Sequence, residues 1–205
     1  MNILIFGDSI ARGLWDENGG WPEKVKKSVH SGTVEEEYYR EVYNLGVSGD
    51  TSFDLLNRFE EELKRRVSED PAKVIFQVGL NDTQIENRSG KHVTPKETFR
   101  GNLRELVARS DRLAEQAYFL GLTPVDESKV DPIPWRETHS YRNQSIQKYD
   151  NVVRSVVQRS SARYIPLFGR LKDHNWSDQL WEGVHPNTDG HERIFEIVKD
   201  EIEFV

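Results

Sequence analysis

Short all-apolar runs alternate along this chain with stretches in which apolar residues recur every three or four positions. Ile3 to Phe6 is uninterruptedly apolar and ends at Gly7, the character of a buried strand. Trp21-Pro22-Glu23 opens a helix with proline at its first position, and the Ser31-Gly32 pair predicts where it fades. Tyr38 to Leu45 is aromatic and β-branched, a second strand. Phe53, Leu55, Leu56, Phe59 and Leu63 fall at helical spacing, which predicts an amphipathic helix over 52–68. Val74 to Val78 reads as a third strand, cut off by Gly79. Thr94-Pro95-Lys96-Glu97 fits an N-cap, a first-turn proline and an acidic first turn, so a helix should follow to about 110. Ala117 to Leu122 is a fourth strand, Tyr141 to about Arg159 a helix, Tyr164 to Leu167 a fifth strand. A last helix runs from about Asn187.

Strand and helix alternate throughout, which predicts a parallel sheet with helices on both faces. The expected fold class is α/β: a three-layer α/β/α, flavodoxin-like doubly wound sheet of about five strands in the order 2-1-3-4-5. At 205 residues the chain matches one domain, 1–205. One connection stands apart. Thr123 to Ser140 holds three prolines, four acidic residues and Trp135, far beyond the about 2–6 residues usual between strand and helix. It leaves the carboxyl end of a strand, where ligands bind in such sheets, and is therefore expected to wall a site.

Charge narrows the partners. Lys and Arg total 28 against 35 Asp and Glu, a net charge of −7, which argues against nucleic acid. Arg58 to Arg66 interleaves acids and bases and reads as a solvated helix face. With no cysteine there is no disulfide, thiolate nucleophile or cysteine-ligated zinc. No apolar stretch approaches the about 20 residues of a membrane span, and the N-terminus lacks the features of a secretion signal, so a cytoplasmic location is expected. His185 and His191 are six apart rather than four, so no metal site is expected.

Four short segments could carry chemistry. Gly7-Asp8-Ser9 ends the first strand and offers a hydroxyl. Asn44 to Thr51 follows the second strand, and its glycines, Gly46 and Gly49, let backbone approach a ligand closely. Gly79-Leu80-Asn81-Asp82 follows the third, with the Asn81 amide able to donate two hydrogen bonds. Trp181 to Asn187 precedes the last helix and places His185 three residues after Glu182. Each alone is ordinary turn chemistry. Together, at one edge of the sheet, they supply a nucleophile, a base with a carboxylate, and oxyanion donors, the parts of serine-dependent acyl transfer.

These blocks resemble those of the SGNH (GDSL-type) serine esterases, in order, from residue 7 to residue 187; Asn44 to Ser52 is most similar to the bacterial thioesterase/lysophospholipase branch. The resemblance implies Ser9 as nucleophile, His185 as base, and Ser9, Gly49 and Asn81 as the oxyanion hole. Where that family has aspartate three residues before histidine, this chain has Glu182, about 1.5 Å longer in reach. Glu182 is the expected third member of the triad, with Asp178 the nearest alternative. The implied activity is hydrolysis of small carboxylic esters, acetyl or other acyl, on carbohydrate among other alcohols, without cofactor and through an acyl-serine. The alternatives are a lysophospholipase or thioesterase, a non-catalytic binding module on the same fold, and a flavodoxin-like phosphate or nucleotide binder, for which Ile10-Ala11-Arg12-Gly13 is a poor loop.

Asp8, Trp135 and Val184 are the expected substrate-binding residues, in a shallow site. Of the other tryptophans, Trp21 reads as core, while Trp15, Trp176 and Trp181 fall in loops near the proposed site. The expected partner is a small-molecule ester; the oligomeric state is open.

Overall fold

The computed structural model describes residues 1–36, 40–67, 72–173 and 175–204, with the side chains of 33–36 left aside. Five parallel strands form one sheet: β1 (Asn2–Gly7), β2 (Glu41–Gly46), β3 (Ala72–Gln77), β4 (Gln116–Leu120) and β5 (Arg163–Ile165). Their spatial order is β2-β1-β3-β4-β5, the doubly wound order expected. All six residues of β1 are buried, because helices cover both faces of a central strand.

The helices are α1 (Ser9–Arg12), α2 (Gly20–Glu36), α3 (Ser52–Lys64), α4 (Lys96–Leu113), α5 (Asn143–Val157), α6 (Phe168–Leu171) and α7 (Thr188–Glu201). One layer pairs α2 with α7; the other is the series α3, α4, α5. A tilted row of rings, Phe59, Phe6, Phe76 and Phe119, joins α3 to the sheet with centroid spacings of 4.6–5.8 Å. Among the described residues no helix is long and apolar enough to cross a membrane.

Several boundaries differ from the sequence reading. The helix begun at Gly20 passes through Ser31-Gly32 to Glu36. Gly32 has no αL geometry to terminate it, and an isolated glycine within a helix costs only about 1 kcal/mol. The second strand begins at Glu41; Tyr38 and Tyr39 lie outside the described residues. Thr94 does not cap α4, whose N-cap position is Pro95; Thr94 instead turns toward Asp82, its N–H donating to the Asp82 carbonyl. Phe53, at a helical apolar position, is 56% exposed, one turn from the buried face of α3.

Candidate active site

β1, β2 and β3 all end at one edge, and the three glycine-bearing loops that follow them meet there. Asp8 caps α1, its Oδ1 accepting the Ile10 N–H at 2.9 Å, which places Ser9 as the first helical residue. The Ser9 N–H therefore has no partner within the helix. Gly49 follows β2 with φ +88° in open space, so this turn leaves its backbone uncovered. Asn81 begins a short 3₁₀ turn after β3.

The loop before α7 closes on this edge from the far end of the chain. Trp181 N–H donates to the His185 carbonyl at 2.8 Å, and Leu180 bridges Pro186. Gly183, at φ +99°, makes the tight turn between them; a Cβ there would lie 2.8 Å from Lys129 Cβ. This turn folds Glu182 back so that its Oε1 meets His185 Nδ1. His185 Nε2 lies 2.7 Å from Ser9 Oγ. The extra length of glutamate is thus taken up by a compact turn. Asp178 lies exposed on a separate 3₁₀ turn, and only its carbonyl is engaged, by Asn187 Nδ2.

The structure brings together Ser9, Gly49, Asn81, His185, Asp8, Trp135 and Val184 around a cavity of about 160 Å³. Glu182 stands behind His185. The Trp135 ring tilts over the imidazole, centroids 5.8 Å apart, so the Thr123–Ser140 loop does wall the site. Larger hollows exist, including one of about 840 Å³ bordered by Lys73, Arg163 and Glu203 near the amino ends of the strands. No histidine lines that hollow, whereas the small cavity is lined by both Ser9 and His185.

Asn81 offers less than expected. One of its two amide hydrogens goes to the Asp50 carbonyl at 3.0 Å, leaving one for a ligand. Its Oδ1 accepts from Gln84 Nε2 (3.2 Å) and from the Tyr141 hydroxyl (3.1 Å), which fixes which end of the amide faces the cavity. Tyr141 itself accepts from Gln84 at 2.7 Å, and burial pushes its hydroxyl well above the usual phenol range, so it stays a neutral donor.

Arg58 is a second residue the sequence reading misplaced. Its run is solvated at Lys64, Arg65 and Arg66, each paired to the acid four residues earlier. Arg58 turns inward instead. Nε meets Asp50 Oδ2 at 2.7 Å, and one terminal nitrogen donates to the carbonyls of Gly7 (3.1 Å) and Leu45 (2.8 Å). One guanidinium thereby ties the ends of β1 and β2 to the residue that holds Asn81. Asp82, fully buried, adds a parallel tie, accepting the Ser52 N–H at 2.9 Å and the Ser52 hydroxyl at 2.6 Å. Removal from water pushes Asp82 up to about 6, and Asp8 up to about 7. In the sequence Asp50 and Asp82 stand beside glycine loops, but Arg58, midway along α3, carries no hint of such a tie.

The tryptophans divide. Trp135 lines the cavity. Trp176, expected near the site, is buried with its indole N–H donating to the Pro124 carbonyl at 2.7 Å, which anchors the wall loop from behind. Trp21 is core, its indole N–H on Gln77 Oε1 at 2.7 Å.

Among curated proteins nothing matches this chain. Solved structures share the fold. Axe2, an acetylxylan esterase from Geobacillus stearothermophilus, is 21% identical over 100% of this chain and 95% of its own, with a TM-score of 0.73. The acetyl xylan esterase AlAXEase is 17% identical over 99% and 100%, TM-score 0.75. LAE5, an alpha/beta hydrolase enzyme from the metagenome of Lake Arreo, Spain, is 22% identical over 96% and 92%, TM-score 0.70. The family model for GDSL-like lipases and acylhydrolases matches residues 5–193, the span that runs from the first strand through the serine, glycine, asparagine and histidine loops, and the chain belongs to that family of carboxylic ester hydrolases.

Proposed function

We propose that this protein removes acetyl groups from carbohydrate esters, with Ser9, His185 and Glu182 as its catalytic triad. The single observation that carries the triad is the continuous contact from Ser9 Oγ through the two ring nitrogens of His185 to Glu182 Oε1. In this reading Ser9 donates its proton to His185 Nε2 and attacks the acetyl carbonyl. Glu182 holds the other imidazole N–H and balances the imidazolium that forms. The tetrahedral oxyanion accepts from the N–H groups of Ser9 and Gly49 and from the remaining Asn81 amide hydrogen. Each such donor contributes about 3–4 kcal/mol of transition-state stabilisation. His185 then protonates the departing sugar oxygen, leaving acetyl-Ser9. Water, deprotonated by His185, attacks that ester and releases acetate.

The choice of acetyl rests on size. A cavity of about 160 Å³ suits a two-carbon acyl group, which favours acetyl over the lysophospholipase and long-chain thioesterase alternatives. The Glu182–His185 contact likewise weighs against a binding module that has lost its orienting acid. The neighbours described as acetylxylan esterases support the carbohydrate part. Solved catalytic mutants of Axe2 replace a serine, an aspartate and a histidine, the acid three positions before the histidine, as Glu182 precedes His185. Asp8 in this reading acts by capping α1 beneath the acyl group, with Trp135 and Val184 as apolar walls. The test is turnover of p-nitrophenyl acetate against p-nitrophenyl octanoate, with a serine-directed fluorophosphonate as blocker. Acetate is expected to be hydrolysed faster, and Ser9 to be the labelled residue. Labelling elsewhere overturns the triad, and a preference for octanoate overturns the acetyl reading.

A further inference from the structure

Two tryptophans outside the cavity have no structural duty that explains them. Trp15 is 53% exposed and Trp181 62% exposed. Their rings stack on each other with centroids 5.9 Å apart and planes 21° apart, each leaving much of its surface in water. Trp15 is the one non-glycine residue at positive φ (+67°) among the described residues. Glycine or asparagine would hold this backbone with less strain, yet an exposed indole stands there.

The pair is also tied to the catalytic edge. Trp181 precedes Glu182 and is bonded through its N–H to the His185 carbonyl. Trp15 follows Leu14, which lines the small cavity and whose N–H donates to the Ser9 carbonyl at 3.0 Å. Trp15 and Trp181, with Asp16 and Glu17, border an open recess of about 370 Å³. Asp16 spends both oxygens on the Asn18 and Gly20 N–H groups and the Thr188 hydroxyl, so it shapes the recess. Glu17 is exposed at the rim.

We propose that the Trp15–Trp181 pair is a sugar-stacking subsite that holds a pyranose ring of the substrate away from the ring bearing the acetyl ester. The proposal rests on the acetyl-carbohydrate reading above and names where the alcohol part lies. With the acyl group seated in the small cavity, the alcohol part of the ester lies toward its rim. An indole face covers the C–H face of a pyranose, while a carboxylate such as that of Glu17 accepts from its hydroxyls. A chain of net charge −7, with acids at this rim, suits a neutral polyol and repels an anionic lipid or phosphate ester.

The experiment has two arms. In the first, a β-1,4-xylo-oligosaccharide without esters is titrated into the Ser9→Ala protein and tryptophan fluorescence is followed; Trp181→Ala and Trp15→Gly are then added in that background. Quenching that saturates, and weakens roughly tenfold in each double variant, is expected. In the second, kcat/KM for the acetylated oligosaccharide is divided by kcat/KM for p-nitrophenyl acetate. That ratio should fall roughly tenfold in either single variant, through KM. Unaltered quenching together with a ratio within twofold of the parent overturns the subsite. So does a ratio that holds while sizing chromatography shows a dimer dissociating, which makes the pair a contact between copies. If the parent hydrolyses neither ester, the activity reading fails while the titration still decides the subsite.

Discussion

The loop that delivers His185 and the first turn of α7, six residues on, each bury a histidine, and only one of them meets side chains that can exchange a proton. His185 is 7% exposed and contacts a hydroxyl and a carboxylate beside an open cavity. His191 is fully buried and lies between two backbone groups, the Trp21 N–H at 3.3 Å and the Leu14 carbonyl at 3.4 Å. Desolvation drives His191 down to about 4, so it is a neutral clamp at neutral pH. The residue type is the same and the burial nearly so. What separates the two is whether the ring nitrogens meet groups that can exchange a proton, or peptide groups that cannot.

The comparison can be broken most directly at Ser9. Ser9→Ala should lower kcat on p-nitrophenyl acetate by at least about 10³-fold while Tm shifts by no more than a few degrees. Retention of a tenth of the activity would remove His185 from its assigned role. Glu182→Gln tests the other side of the same ring. It should lower kcat by about 10²–10⁴-fold with a smaller change in KM, because the imidazolium loses its counter-charge. An unchanged kcat would make the acid a structural contact only.

His191→Gln sharpens the contrast from the opposite direction. Denaturant unfolding at pH 7 should show a loss of about 1–3 kcal/mol, since two buried backbone groups lose well-placed partners. The folded fraction should still turn over ester. The pH dependence has a definite sign. A histidine neutral when folded and normal when unfolded contributes stability that is present above about 6.5 and is lost as pH falls toward 4. The parent should therefore weaken over that window more steeply than the variant.

Asp8 gives the opposite slope. Its carboxyl, raised by burial to about 7, resists ionisation in the folded protein. Stability is lost as pH rises from about 4 to 7, at up to about 1.4 kcal/mol per pH unit. Asp8→Asn keeps a good N-cap for α1 and should remove that part of the slope, read from unfolding midpoints at pH 5, 6 and 7.

How much of this was legible beforehand follows the same division. The strands could be read because a strand covered on both faces is apolar at every position, as Ile3 to Phe6 is. Element ends could not, because Gly32 and Thr94 have ordinary stop and start identities whose effect depends on tertiary partners. The nucleophile and oxyanion candidates could be read because they lie in glycine-bearing turns at strand ends, and the histidine because a glycine-bearing turn sets it just before a helix. Arg58 and Tyr141 could not. An arginine inside a run of paired charges looks solvated until the fold turns it inward, and a tyrosine at a helix start carries no sign that its hydroxyl orients an amide 60 residues away. His191 was likewise silent, since its partners are backbone atoms that any sequence possesses.

The Ser9–His185 pair spans 176 positions of the chain. In the triad proposed above, the hydroxyl is made before the imidazole that would activate it, and the two meet only once the chain between them has folded. A message cut short before the loop that carries Glu182 and His185 is expected to yield an inert polypeptide, however well its sheet has assembled. In that reading hydrolytic power appears only once this loop has been made and folded, and its onset in a ribosome-release time course would serve as a clock for that step.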